Sequence, residues 1–292
     1  MIELFLKYLQ YEKRCSPHTI TAYQTDLEQF AAFLQSSYEY SQPELATFPI
    51  IRSWIVSLVD MQINATSINR KIATLRTFYK FLLRRGTIVQ NPMLKVRSLK
   101  ESKKLPHFVE EQQLVALLDS FPFPDGFEGL RDRLVMEMLY GTGIRLGELL
   151  SLDDSMISKI ESTIKITGKR NKQRIIPLHA SLLPLIEMYQ QEKEREFNGT
   201  ADKHLVVTTE GKEAYPMLIY RIVRKYLTAT TVDKRSPHVL RHTFATHLLN
   251  KGADLNAIKD LLGHSSLAAT QVYTHNSLEK LKKVYEQAHP KA

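Results

Sequence analysis

The stretch Ser236-Pro237-His238-Val239-Leu240-Arg241-His242-Thr243-Phe244-Ala245-Thr246-His247 opens a helix. A serine followed by proline is a start signal, with the hydroxyl as cap and the ring preset for the first helical position. Lys251-Gly252 supplies the stop. Val239, Leu240, Phe244, Leu248 and Leu249 give the helix apolar faces. His238 and Arg241 stand three apart and share a face in the first turn. The N–H groups of a helix start favour an anion there, so the outline is that of a phosphate site. His238 and His242 also have zinc-ligand spacing. However, Val239 stands where the metalloprotease pattern needs Glu, and no cysteine or carboxylate partner is evident. Taken alone, these histidines read equally well as hydrogen-bonded structural residues.

Working outward, Asp254 caps a second helix with apolar positions Leu255, Ile258, Leu261 and Leu262, and Gly263 ends it. His264 follows at once, and Tyr273 comes nine residues later. Upstream, Gly141-Thr142-Gly143-Ile144-Arg145-Leu146-Gly147-Glu148-Leu149 begins another helix, so backbone N–H groups and the Arg145 guanidinium could share a phosphate. Between them lies the one β signal. Thr163–Thr167 alternates, Gly168-Lys169-Arg170-Asn171 is turn-like, and residues 174–177 form a second apolar run. The expectation is a hairpin with a basic tip in an otherwise helical region. Each of these pieces alone also reads as ordinary surface.

Residues 1–93 predict four helices and no strands. Ser16-Pro17 starts one, with Ile20, Tyr23, Leu27, Phe30, Phe33 and Leu34 as its apolar pattern. Asn64-Ala65-Thr66 starts another, carrying Ile68, Ile72, Leu75, Phe78, Tyr79 and Leu82 at helical spacing. Its basic residues Arg70, Lys71, Arg76, Lys80 and Arg84 make residues 66–84 the candidate for a DNA major-groove or backbone contact. A solvated basic face is the alternative. Arg221, Arg224 and Lys225 form a similar strip. Residues 95–106, polar, lysine-rich and ending in Pro106, read as an interdomain linker.

Composition agrees with two domains in 292 residues, at 43% hydrophobic and 24% charged. The net charge is +9, and most of the excess lies early: 15 Lys/Arg face 8 Asp/Glu over residues 1–106. Such a balance favours acidic partners, chiefly nucleic acid. No apolar run is long enough for a membrane span, the first residues do not read as a signal peptide, and Cys15 is the lone cysteine, so no internal disulfide can form. A cytoplasmic protein is expected. The chain has no Gly-rich nucleotide loop.

Arg145 in Gly-Ile-Arg-Leu-Gly-Glu-Leu, Lys169 at the hairpin tip, His238-x-x-Arg241, Leu262-Gly263-His264 and Tyr273-Thr274-His275 occur in the order and spacing of tyrosine recombinases. The chain resembles that family over nearly its whole length, and its Xer group of chromosome-dimer-resolving recombinases above all. Gly147 departs from the group, many of whose members have Ser there. The resemblance implies a mainly α fold with a small antiparallel β-sheet in the C-terminal domain. It implies a helical, SAM-like core-binding domain at 1–94, a linker at 95–107 and a catalytic domain at 108–292 with a tail helix. It implies that Tyr273 is the nucleophile, His238 its base, Lys169 the general acid, and Arg145, Arg241 and His264 the phosphate clamp, with no metal, ATP or other cofactor. Implied partners are double-stranded DNA, further copies or a related recombinase in a tetramer, and an FtsK-type DNA translocase. In Xer-like proteins the C-terminal helix packs on a neighbouring protomer, so residues 277–292, with Leu278, Leu281, Val284 and Tyr285 on one stripe, are expected to do so; an ordinary helix packed in cis fits the same stripe. Open alternatives are a phage or mobile-element integrase, a type IB topoisomerase-like enzyme, and a DNA-binding protein without catalysis.

Overall fold

A computed structural model of the chain describes residues 1–101, 107–168, 173–263 and 275–291, except the side chains of 275–280. Lys103, Lys104, Lys169, His264, Tyr273 and the side chain of Leu278 therefore lie outside the described residues. The chain forms two compact units, Met1–Lys104 and Leu105–Ala292.

The first unit holds four α-helices, α1 (Ile2–Lys7), α2 (Pro17–Tyr38), α3 (Phe48–Asp60) and α4 (Ala65–Arg84). The caps read from sequence work as expected. Ser16 accepts from the Thr19 N–H, and Asn64 accepts from the Ser67 N–H at 2.8 Å. The α4 stripe of Ile68, Ile72, Leu75, Phe78, Tyr79 and Leu82 is buried. Phe5 meets Phe78 edge-on at 5.3 Å, and Trp54 lies against Phe30 at 4.7 Å.

One expectation is corrected in this unit. Lys71 is not part of an outward basic face. Its ammonium sits 3.0 Å from Asp26, a fully buried carboxylate that also takes the Arg70 guanidinium at 2.7 Å and the Thr74 hydroxyl at 2.8 Å. Position 71 falls inside the apolar stripe, three after Ile68 and four before Leu75, so its charge is spent within the domain. The start of the linker also packs on this unit. Val96 is buried, and Arg76 donates to its carbonyl at 2.8 Å. Asn69 bonds the Leu99 backbone through both its amide atoms, at 3.0 and 2.8 Å. The strand-like strap is thus fastened along α4.

The second unit is helical around a small sheet. Its elements are α5 (Glu111–Ser120), α6 (Phe127–Thr142), α7 (Leu146–Leu150), β1 (Ile157–Ser158), β2 (Thr163–Thr167), β3 (Gln173–Pro177), α8 (Leu182–Phe197), α9 (Pro216–Leu227), α10 (Pro237–Asn250), α11 (Leu255–Leu262) and α12 (His275–Ala288). Helix α6 is enclosed on nearly all sides and packs against α8, α9 and α10. The expected hairpin is present as β2 and β3, antiparallel with Ile166 opposite Arg174, and β1 adds a short third strand.

Helix α12 settles on its own unit, against α10, α11 and β3. This is the packing in cis that the apolar stripe also allowed. Leu281, Tyr285 and Ala288 are buried, and the Tyr285 hydroxyl donates to the Gly141 carbonyl at 2.5 Å. Beyond the helix, His289 stacks on Tyr285 at 4.8 Å and on His179 at 5.4 Å, and Lys291 pairs with Glu137 and Asp119. No helix among the described residues is long and apolar enough to cross a membrane.

Candidate active site

The site grows from two glycine turns and a strand. Gly143 ends α6 with φ +62°, and a Cβ there would lie 2.4 Å from the Phe244 ring of α10. That close approach sends the chain directly into Arg145, the cap of α7. Glu148, three residues on, reaches back to accept from the Arg145 N–H at 2.7 Å and its guanidinium at 2.8 Å. Of the backbone N–H groups at this helix start, that of Arg145 is therefore taken by Glu148.

Arg174 enters from β3. Its two terminal nitrogens grip both oxygens of Glu148 at 2.9 and 2.8 Å, a bidentate geometry open to arginine and not to lysine. In the sequence Arg174 opens the apolar run 174–177, which hides its role. The available signal was a charged residue at an inward position of an alternating strand: Arg174 and Ile176 are both buried.

Arg241 lies one turn into α10, as the three-residue spacing from His238 requires. It is buried and donates to the Gly143 carbonyl at 2.5 Å and the Leu262 carbonyl at 2.7 Å. His238 is exposed on the first turn of the same helix. His242 faces Thr246 at 3.5 Å. Among the described residues, no three potential metal ligands are brought together.

The arginines meet at the end of α11. Arg174 Nε donates to Leu261 O at 2.8 Å, Arg241 to Leu262 O at 2.7 Å, and Arg145 to Gly263 O at 3.2 Å. Three successive carbonyls at the negative end of a helix thus each receive a different guanidinium. The helix is fixed at its other end by Asp254, which accepts from Asn256 N and Ala257 N at 3.0 and 3.1 Å. The next residue in the chain is His264.

The charges are set by this clustering. Burial alone would raise the Glu148 carboxyl, but hydrogen bonds from Arg174 and Arg145 hold it down at about 2. Burial, then the charge of Arg145, bring Arg241 down to about 10, with Glu148 opposing and Arg174 adding to the fall. Both groups stay ionised at neutral pH. One carboxylate among three guanidinia leaves a surplus of positive charge, which suits a phosphodiester.

The comparisons with known proteins agree with this geometry. The Phage integrase family model matches residues 107–280, and the Phage integrase N-terminal SAM-like domain model matches residues 2–86. The chain belongs to the phage integrase family of tyrosine recombinases. Members of this family exchange DNA strands. The recombinase is 38% identical to the tyrosine recombinase XerC of Chlorobaculum parvum, covering 100% of this chain and 94% of that one. It is 35% identical to the tyrosine recombinase XerD of Staphylococcus epidermidis, covering 100% and 99%. Among solved structures, the XerH site-specific recombinase bound to a palindromic difH substrate aligns with a TM-score of 0.73 at 20% identity, over 97% of this chain and 83% of that one. The XerA recombinase aligns at 0.50 and 26% identity, over 100% and 99%.

Proposed function

We propose that this recombinase cuts and rejoins DNA at a specific site through a 3′-phosphotyrosyl bond to Tyr273, and resolves chromosome dimers at a dif-like sequence. The observation that carries the reading is the convergence of Arg145 and Arg241 on consecutive carbonyls beside the α11 terminus. Two cations held there are suited to the two non-bridging oxygens of one phosphate, where transition-state charge collects. Full-length similarity to XerC and XerD relatives directs the choice within the family.

A tyrosine hydroxyl titrates near pH 10 in the ordinary case, so a base must take its proton during attack. His238, exposed one turn before Arg241, takes that role. Lys169, between β2 and β3, delivers a proton to the leaving 5′ oxygen. His264 adds a third donor to the phosphate. The phosphotyrosyl bond stores the energy of the broken linkage, so a 5′ hydroxyl of the partner duplex can reverse the step without ATP.

Double-stranded DNA is the substrate, and the acting form is a tetramer of identical or paired related recombinases. Among proteins of the same fold, XerH is seen bound to difH and lambda integrase as a tetramer on a Holliday junction. An FtsK-type translocase as activator and a cytoplasmic location complete the proposal.

The test starts from a random-sequence duplex pool. Sites bound by the full chain are recovered and nicked, and covalent protein–DNA adduct is measured with wild type and Tyr273→Phe. Adduct with wild type alone is the expected result. Adduct with both proteins would remove Tyr273 from its role, and adduct with neither would remove the catalytic reading. Recovery of a sequence from a mobile-element end, rather than a chromosomal site, would replace dimer resolution with integration.

A further inference from the structure

We infer that Arg174 is a positioning residue for strand cleavage, acting through Glu148 to fix the Arg145 guanidinium at the phosphate; the inference rests on the recombinase reading above. The geometry assigns Arg174 no solvent-facing work. Its side chain is buried, and each of its three nitrogens has a partner: both oxygens of Glu148 and the carbonyl of Leu261. What it holds, Glu148, holds the group placed at the phosphate. Glu148 in turn binds Arg145 at its backbone and at its guanidinium. The chain of contacts therefore runs from β3 through Glu148 to Arg145, with a brace to the helix that carries the Arg241 acceptor, Leu262 O.

Stability does not explain such an arrangement. A buried ion pair is often matched or exceeded in stability by apolar residues of similar volume. Arg174 occupies an inward position in a strand whose next inward neighbour, Ile176, is fully buried, and it faces Ile166 across the sheet. An aliphatic residue would suit that place. An arginine there is instead matched to the oxygens of one carboxylate. Gly263 is shaped to the same residue: a Cβ on it would come within 3.1 Å of Arg174 Cδ and 3.2 Å of a terminal nitrogen. The backbone next to His264 is thus fitted around Arg174.

The contribution is geometric, so lysine should not replace it. Lysine keeps the charge but lacks the fork. The experiment uses full-length wild type, Arg174→Lys and Arg174→Met on the nicked duplex selected by the wild-type chain. Protein is in excess, so the rate constant of adduct formation is read separately from its final amount and from duplex affinity. The expected result is a rate constant lower by about a hundredfold in both variants, the scale of a misplaced reacting group, with affinity changed less than about threefold. A merely stabilising role would lower the amount of adduct and leave the rate constant unchanged, or would be restored by Arg174→Lys; either result overturns the inference.

If Arg174→Met does not fold, Arg174→Met/Glu148→Gln removes both buried charges and is compared with Glu148→Gln alone. Equal rates within about threefold are expected, since the arginine works through the carboxylate. A further loss of about a hundredfold would overturn it. If wild type itself gives no adduct, the recombinase reading fails and the inference falls with it. If wild type reacts and Arg174→Lys matches it, the inference alone fails.

Discussion

Gly263 is glycine for two separable reasons, its φ of +63° and the lack of room beside Arg174. Gly263→Ala should cost roughly 1–2 kcal/mol from backbone strain alone, measured by urea denaturation. It should also slow adduct formation by displacing Arg174. A variant with lowered stability but wild-type cleavage would deny that link. Glu148 makes a second prediction. Its folded carboxyl titrates at about 2, below the unfolded value near 4.5. The stabilisation is therefore complete above about pH 4.5 and lost as pH falls toward 2. Glu148→Gln should flatten the acid limb of stability against pH; an unchanged limb would contradict the ion pair. At this scale the sequence was only partly legible. Spacing alone put Arg145 and Arg241 at helix starts. Arg174 stayed hidden because a strand's period marks which face a residue is on, but not that a charge on the inner face has a partner. By charge alone Lys71 reads as a surface cation, although its place in the α4 stripe marks it as inward.

Element boundaries were the most legible feature, because caps are local chemistry: Ser16, Asn64, Asp254 and Gly263 each act within a few residues of themselves, whereas Ser236 stands at the start of α10 without the hydroxyl cap bond expected of it. What an element packs against is not local. The stripe of α12 announces an apolar face but names no partner, and the structure gives it its own unit. That docking is expected to depend on pH. Burial first, then Lys291, lower His179 to about 4; burial first, then His179 and Lys291, lower His289 to about 3. Both imidazoles are held neutral in the folded protein and take up protons once unfolded. Below about pH 6.5 the unfolded state binds more protons, so stability falls as pH drops from there toward 4. Glu137, whose carboxyl burial pushes up while Lys291 pulls down, works in the opposite direction. His289→Phe should reduce the slope of stability between pH 6.5 and 4; an unaltered slope would mean the tail leaves before the imidazoles titrate. Tyr285→Ala should cost about 3–5 kcal/mol, as expected for a buried aromatic.

At the scale of the molecule, charge and length foretold two units and an anionic partner. The outward cations on α4 are Arg70, Arg76, Lys80 and Arg84, once Lys71 is set aside, and Arg70 also binds Asp26. Lys80→Ala should weaken DNA binding and lower the salt slope by about one, whereas Lys71→Met should leave that slope unchanged. Equal effects of the two would put Lys71 at the interface after all. The two units have separate apolar cores, one built from Phe5 to Val96 and one from Val109 to Ala288. Calorimetry should therefore resolve two transitions, or a van't Hoff enthalpy smaller than the calorimetric one. A single two-state transition would show that the units unfold together.

Trp54, packed on Phe30 in the first of those cores, is the single tryptophan of the chain. Indole emission excited at the red edge of the ultraviolet thus comes from the N-terminal unit alone. Circular dichroism sees the helices of both. A denaturation curve followed by the two signals together would assign each transition to its unit without a label, and stopped-flow emission on mixing with DNA would report the helical N-terminal unit while the catalytic one stays dark.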